Sequence, residues 1–207
     1  MTRPRLYERS VFVNCPFSPE YQGIFRGLIF SVLSCGYEPR CALEVSDSTQ
    51  NRLSKIERII EQCRFGIHDI SFTELDARTK LPRFNMPFEL GMFFAAKRFG
   101  VGRQRRKIAL ILDAHGYRYR SSLSDISGQD IAVHSGSANT VIRRVRDWLN
   151  ASQRKLPPLP GGDHVIKQYR EFTRQLPAAS QRMRLSARQL TYPDLCRAIE
   201  AWLKNNA

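Results

Sequence analysis

Short β-branched runs alternate along the chain with stretches whose apolar residues recur at helical spacing, and this alternation constrains the fold more than any other feature. Strands are predicted over 10–14, 37–43, 65–70, 107–112 and 129–133, with helices beginning near residues 18, 46, 85 and 141. Such alternation is typical of βαβ units, which have parallel strands and right-handed crossovers. The pattern therefore predicts an α/β protein with a flavodoxin-like parallel five-stranded sheet and helices on both faces.

A stretch rich in proline and glycine marks the end of this region. Residues 156–162 read Leu-Pro-Pro-Leu-Pro-Gly-Gly, which is unsuited to continuing a helix. We therefore expect an α/β domain over residues 1–155, a linker over 156–162 and a small C-terminal helical appendage over 163–207. That appendage is predicted to hold helices over 165–176 and 192–203, the second of them begun by Thr191 and Pro193.

The apolar runs and the cysteines bound the class of protein. No apolar run approaches the roughly 20 residues of a membrane span, and the basic N-terminal residues lead into no signal-peptide core, so a cytoplasmic protein without a membrane partner is predicted. The five cysteines form no CxxC pair and have no histidine at metal-ligand spacing. They are interpreted as reduced, mostly buried thiols, and no metal or other cofactor is expected.

The charge balance concerns the partners of the chain. Lys and Arg total 33 against 19 Asp and Glu, a net charge of +14, and a positive balance attracts polyanions. The C-terminal segment is therefore a candidate surface for nucleic acid or an acidic partner, with a solvated helical face as the alternative. Self-association into a homo-oligomer also stays open. The basic and aromatic residues of the C-terminal segment are Lys167, Tyr169, Arg170, Phe172, Arg174, Arg182, Arg184 and Arg188.

Polar residues at the predicted strand ends form a short list of candidate site residues. Ligands of a parallel α/β sheet bind beyond the carboxyl ends of its strands, near the point where the strand order reverses. Asn14, Asp69 and Asp113 lie at such ends, and Glu89 lies in the first turn of the third helix. With Asn85 as the N-cap, Glu89 falls one residue beyond the capping-box position, so capping explains this glutamate only in part.

The third helix gives these residues a chemical interpretation. Asn85 and Glu89 share a helix face, while Gly91 leaves room for a ligand or a neighbouring chain. If Asp69 points into the same cleft, two carboxylates converge there, as glycosidic chemistry requires. One carboxylate attacks or stabilises an anomeric carbon, and the other holds sugar hydroxyls or donates a proton. For Asp69 a solvated strand-end role is the alternative.

Short motifs within residues 10–115 also carry a resemblance to a known family. Strand 1 ends in Asn-Cys-Pro-Phe at 14–17, strand 3 ends in Asp69, and a helix opens with Pro-Phe-Glu-Leu-Gly at 87–91. The arrangement resembles the nucleoside 2-deoxyribosyltransferase family and, more distantly, the TIR domains that hydrolyse NAD. The resemblance implies that Glu89 is the nucleophile, that Asp69 assists it, and that a role in bacterial defence is conceivable.

The resemblance implies cleavage or transfer at the N-glycosidic bond of a nucleoside, a nucleotide or NAD. The transferases carry an aspartate and a Gly-Thr pair where this chain has residues 83–87, which favours cleavage over deoxyribosyl transfer. The alternative is a non-catalytic module that binds a nucleotide signal or nucleic acid, and a third hypothesis is a scaffold. The expected substrate-binding residues are Asn14, Phe17, Asn85, Gly91, Asp113 and Arg83, with Arg118, Arg120, Tyr117 and Tyr119 as further candidates for phosphate contact or stacking.

Overall fold

The centre of the molecule is a five-stranded parallel sheet. The computed structural model describes residues 6–44, 47–71, 83–153, 158–187 and 189–206. The strand order is β2-β1-β3-β4-β5, and every neighbouring pair is parallel. This arrangement confirms the predicted flavodoxin-like sheet. The strands are β1 (Ser10–Asn14), β2 (Glu38–Arg40), β3 (Phe65–Asp69), β4 (Ile108–Asp113) and β5 (Ile131–Val133).

Six α-helices of eleven residues or more occur in the described part of the chain. None of them is long and apolar enough to cross a membrane. Their bounds are α1 (Gln22–Ser34), α2 (Arg52–Gln62), α3 (Asn85–Phe99), α4 (Ala138–Ser152), α5 (Gly162–Arg182) and α6 (Tyr192–Asn205).

The side chains of each strand alternate between two apolar layers. Val11 and Val13 pack in the cluster shared with α1 and α4, whereas Phe12 packs in the cluster shared with α2 and α3. Helices therefore cover both faces of the sheet, as predicted. Because both faces are covered, the carboxyl ends of the strands are the edge at which polar residues gather.

The two C-terminal helices are continuous with the main core. The ring of Phe30 in α1 lies 5.5 Å from that of Tyr169, 5.4 Å from that of Phe172 and 5.9 Å from that of Trp202. The hydroxyl of Tyr169 also donates to the carbonyl of Gly23 at 2.9 Å. Helices α5 and α6 thus form a further layer over α1. Residues 156 and 157 of the predicted linker lie outside the described residues.

Several element boundaries differ from the prediction, and the largest difference is in α5, which covers Gly162–Arg182 and so begins in the predicted linker and runs beyond residue 176. Strand β2 covers only Glu38–Arg40, and β5 begins at Ile131 instead of residue 129. Helix α2 begins at Arg52, because the side chain of Asn51 accepts from the amides of Leu53 and Ser54. The proposed earlier start fails at Asp47, whose carboxylate accepts from the amide of Thr49 in a local turn.

Candidate functional site at the carboxyl ends of the strands

Polar residues from four strands meet at the carboxyl-terminal edge of the sheet. The register pairs Asn14 of β1 with His68 of β3, and Asp113 of β4 with Val133 of β5. Asp69 and His134 directly follow those positions on β3 and β5, and both are buried. The strand order reverses between β1 and β3, which is the place where ligands bind in sheets of this kind.

The carboxylate of Asp69 is held by three side chains from different elements. The hydroxyl of Tyr21 donates to its Oδ2, and His134 Nε2 lies 3.0 Å from the same oxygen. The amide of Ser71 donates to Oδ1 at 2.9 Å, and the Ser71 hydroxyl also donates to Oδ1. Asp69 is fully buried under these contacts. Its carboxylate therefore organises the strand ends and is covered from solvent, unlike the open position that the sequence predicted.

The hydrogen bond that His134 Nδ1 accepts determines which ring nitrogen carries the proton. The amide of Gly136 donates to Nδ1 at 3.1 Å, so Nδ1 is an acceptor and the proton of the neutral ring is on Nε2. Nε2 faces Asp69 and also lies 2.9 Å from Ser71 Oγ. Since Ser71 Oγ accepts from the amide of Ala114 at 2.8 Å, one network connects the ends of β3, β4 and β5.

Asp113 is a second buried acid at this edge, with incomplete hydrogen bonding. Its Oδ1 accepts from the amide of His115 at 3.2 Å, whereas its Oδ2 has no partner among the described residues. Burial raises the pKa of Asp113, and the neighbouring Asp69 raises it further. A buried carboxyl oxygen without a donor is costly for a folded protein, so it suggests that something other than stability maintains Asp113 here.

Asn14 ties the start of α3 to the sheet. Its Nδ2 donates to the carbonyl of Met86 at 2.8 Å and lies 3.1 Å from His68 Nδ1. Burial lowers the pKa of His68 to about 3, so the ring stays neutral. His68 is thus a core histidine, in agreement with its position among apolar strand residues. Asn14 is 3% exposed, and its hydrogen bond to the Met86 carbonyl holds the start of α3 against the sheet.

Glu89 lies one helical position deeper than predicted. Phe84 precedes the helix, so Asn85 is its first residue and not its cap, and no side chain caps the helix there. The reason is that Phe84 itself has helical backbone angles, which removes the extended conformation that a capping residue needs. Glu89 is 8% exposed, and burial raises the pKa of its carboxyl group to about 7. The positive charge of Arg52 opposes that rise.

The thiol of Cys15 is influenced electrostatically by both predicted catalytic carboxyl groups. Burial raises the pKa of this thiol well above its usual value, and the charges of Asp69 and Glu89 both add to the rise. Both acids are therefore within electrostatic reach of one buried side chain. Asp69 at the end of β3 is fully covered, whereas Glu89 in α3 is 8% exposed.

The other predicted site residues surround this centre at different depths. Asn85, Arg83 and Gly91 are exposed, and a methyl group added at Gly91 would meet no described atom within 4 Å. Phe17 is half-buried, with its ring 5.4 Å from that of Phe25. Hydrogen bonds from its own backbone and from Ser18 lower the pKa of Glu20, and the charge of Arg83 adds a smaller lowering. Gly91 therefore leaves open space, as its interpretation required.

Several residues of the site escaped the sequence analysis. Tyr21 was not among the candidate residues, although its hydroxyl donates to Asp69. His134 directly follows a strand, so the rule that selected Asp69 also selects it. Arg52 could not be found because a distant helix brings it towards Glu89. Phe84 and Phe88 were read only as parts of motifs, yet they are 60% and 57% exposed at the start of α3.

The fold and the site define a class of protein. Within the described ranges, no group of three or more His, Cys, Asp or Glu side chains is placed to hold a metal ion. Comparison with family models, with curated proteins and with solved structures finds no match for the chain. The protein is therefore a flavodoxin-like α/β protein with buried acids at the carboxyl edge of its sheet.

Proposed function

We propose that the protein cleaves or transfers at the N-glycosidic bond of a nucleoside, a nucleotide or NAD. The observation that carries the proposal is Glu89, a largely buried carboxyl group with a pKa of about 7 at the switch-point edge of the sheet. A carboxyl group poised near neutral pH is typical of catalytic acids, bases and nucleophiles. No contact of Glu89 among the described residues gives it a purely structural reason to be buried.

In the proposed reaction the bond between the anomeric carbon and the base nitrogen breaks, and the base leaves with the electron pair. The Glu89 carboxylate either forms a bond to the anomeric carbon or stabilises its positive charge. Water then supplies hydroxide to that carbon and a proton to the medium or to the base. If a second base takes the place of water, the outcome is transfer.

Surrounding residues have separate roles in this proposal. Asp69 is a positioning residue, because its oxygens are occupied by Tyr21, Ser71 and His134. The exposed rings of Phe84, which directly precedes α3, and of Phe88 in that helix are four residues apart and offer a surface on which a base stacks. Arg52 supplies a positive charge near Glu89, which suits a substrate that carries phosphate.

The test uses the purified chain and a panel of nucleosides, nucleotides and NAD, with released base measured by chromatography. Replacing the nucleophile or ion stabiliser should slow base release by at least about 100-fold in Glu89→Gln. The matched control is Glu200→Gln, the same change on the exposed face of α6, which should keep the wild-type rate. Acid quenching followed by intact mass measurement separates the two roles of Glu89, since only a nucleophile retains the sugar.

Two outcomes contradict the proposal. The first is that the wild-type chain releases no base from any compound in the panel. The second is that Glu89→Gln retains the rate of the Glu200→Gln control. Either result removes the enzyme hypothesis, whatever the fold of the variant.

The second candidate function is a non-catalytic module that binds a nucleotide signal in the same place. The observation that favours it is the exposed Phe84 and Phe88 pair, which suits base stacking without any reaction. Titration calorimetry with the same panel distinguishes the candidates. A binding module shows saturable heat without base release, and its affinity survives Glu89→Gln.

A further inference from the structure

Away from the carboxyl edge, a basic groove lies between α4 and α5. Four cationic residues and two acidic ones line it, together with Asn139 and Ile166. Arg143 pairs with Asp163 at 2.6 Å, and Arg174 pairs with Glu171 at 2.5 Å. The remaining cations of the groove are Lys167 and Arg170.

Lys167 and Arg170 give the groove its uncompensated charge. They are exposed and three residues apart on α5, so they lie on one face of that helix. Among the residues that the structure describes, neither forms an ion pair with an acidic side chain. Two adjacent cations without counter-charges favour an anionic ligand with repeated charges.

A second groove borders the other side of α4. It runs beside the outer edge of β5, and Tyr117, Arg120, Asp130 and Arg144 are among its lining residues. Arg143 lines the first groove and Arg144 lines the second. Because these residues are consecutive and exposed on α4, the ridge of that helix joins the two grooves with positive charge.

Tyr117 gives the second groove a surface for stacking. Its side chain is 71% exposed, and the guanidinium carbon of Arg120 lies 4.6 Å from the centre of its ring. Its φ of 64° is in the left-handed region, which is strained for a residue other than glycine. An exposed aromatic residue held in a strained backbone contributes nothing to the core, so the arrangement suggests a ligand.

We propose that this surface, defined by Tyr117, Arg120, Arg143, Arg144, Lys167 and Arg170, binds single-stranded nucleic acid. The phosphates lie along the cations of α4 and α5, and a base stacks on Tyr117. Cationic grooves combined with exposed aromatic rings are the means by which proteins hold single strands without sequence preference. A duplex keeps its bases stacked on one another, so it cannot use Tyr117.

The test measures fluorescence anisotropy of a labelled 20-nucleotide single strand, and of the same strand annealed to its complement, over a series of NaCl concentrations. The single strand should bind more tightly than the duplex. The double variant Lys167→Gln/Arg170→Gln should weaken single-strand binding about 10-fold. It should also lower the slope of log affinity against log salt by about 0.7 for each phosphate that the protein no longer neutralises.

The matched control removes two positive charges from the amino-terminal edge of the sheet. Arg103→Gln/Arg105→Gln changes two exposed arginines there and should leave binding within about 3-fold, since only the diffuse field of the protein is reduced. Tyr117→Ala should weaken binding about 5-fold or more, whereas Tyr117→Phe keeps the ring and should match the wild type. Glu89→Gln should bind normally, so failure of the proposed enzyme activity leaves this result intact.

The proposal is overturned if no single strand binds at 50 mM NaCl, or if both double variants weaken binding equally. It is also overturned if Tyr117→Ala binds as tightly as Tyr117→Phe, because the interaction then lacks stacking. Binding to phosphatidylserine vesicles without binding to the oligonucleotide would assign the surface to membranes instead.

Discussion

At the amino-terminal edge of the sheet charged groups meet compensating partners, whereas at the carboxyl-terminal edge acids gather without enough cations. Near the amino edge, Glu8 pairs with Arg64 and with Arg106. The buried ammonium group of Lys107 donates to the carbonyls of Ile60 and Cys63, and it lies 4.7 Å from the ring of Phe93. Burial still lowers its pKa to about 8.

The carboxyl edge shows the opposite balance. Burial raises the pKa of both Asp113 and Glu89, and Asp113 retains an oxygen without a donor in the described residues. The ion pairs of Glu8 are explained by stability, and the buried Lys107, whose lowered pKa also costs stability, has two carbonyl acceptors for its ammonium group. Buried acids with raised pKa values reduce stability, so a ligand or a reaction better explains their presence. Under the proposed function, this difference favours the carboxyl edge as the place where the substrate binds.

The largest expected effect separates two acids within the carboxyl edge. Asp69→Asn should lower the free energy of unfolding by about 3 kcal/mol or more, because more than one buried donor loses its acceptor at a cost of about 1 to 3 kcal/mol each. The reason is that an amide presents two donors, whereas every neighbour of Asp69 needs an acceptor, and Gly136 fixes the proton of His134 on Nε2. Urea denaturation of the wild type and the variant gives the value.

Asp113→Asn is the matched control for that change. The amide oxygen can still accept from His115, and the charge that burial disfavours is removed. Its free energy of unfolding should stay within about 1 kcal/mol of the wild type or rise. Equal destabilisation by both variants would contradict the distinction between a satisfied acid and an unsatisfied one.

An intermediate effect concerns the pH dependence of Glu89. The folded pKa of about 7 exceeds the usual 4.5, so between these pH values the folded state retains a proton that the unfolded state releases. Below pH 4.5 the carboxyl group is protonated in both states and does not reduce the free energy of unfolding. As pH rises through 7, its ionisation lowers the free energy of unfolding of the wild type. Glu89→Gln should match the wild type near pH 4.5 and exceed its free energy of unfolding at pH 8, by at most about 3 kcal/mol.

Urea unfolding of both proteins at pH 4.5, 6 and 8 measures that difference, and other titrating groups cancel in the comparison. A gain that is independent of pH, or a loss at pH 8, would show that Glu89 is compensated like the acids of the amino edge. Combined with slower base release, a gain at pH 8 would be the usual trade between stability and activity.

The smallest expected effect lies at the amino edge. Glu8→Gln removes the pairs with Arg64 and Arg106, which are partly exposed. Its cost should be about 1 kcal/mol or less, and it should shrink further in 1 M NaCl because salt screens such pairs. Urea unfolding at two salt concentrations measures it. A salt-independent loss above about 2 kcal/mol would show that the amino edge depends on its charges as strongly as the carboxyl edge does.

The chain sequence by itself determined the sheet, the helices on both faces and the edge at which the candidate site was sought. Apolar periodicity is a local property, and helix α3 accordingly begins at Asn85, close to its predicted start. The start of α6 at Thr191 also follows the prediction, because its capping box involves only Thr191 and Asp194. Asp69, Glu89, Asn14 and Asp113 were selected by the same reasoning, since each is near a strand end.

Tertiary structure alone decided the depth and the partners of those residues. Tyr21 and Asp69 are 48 positions apart, and Ser71 and His134 are 63 apart, so their hydrogen bonds depend on the order of strands in the sheet. The covering of Asp69, the exposure of Phe84 and Phe88, and the placement of Tyr117 in a separate groove follow from packing between distant elements. Burial is a property of the whole fold, so sequence can nominate an acid but cannot state whether it reaches solvent.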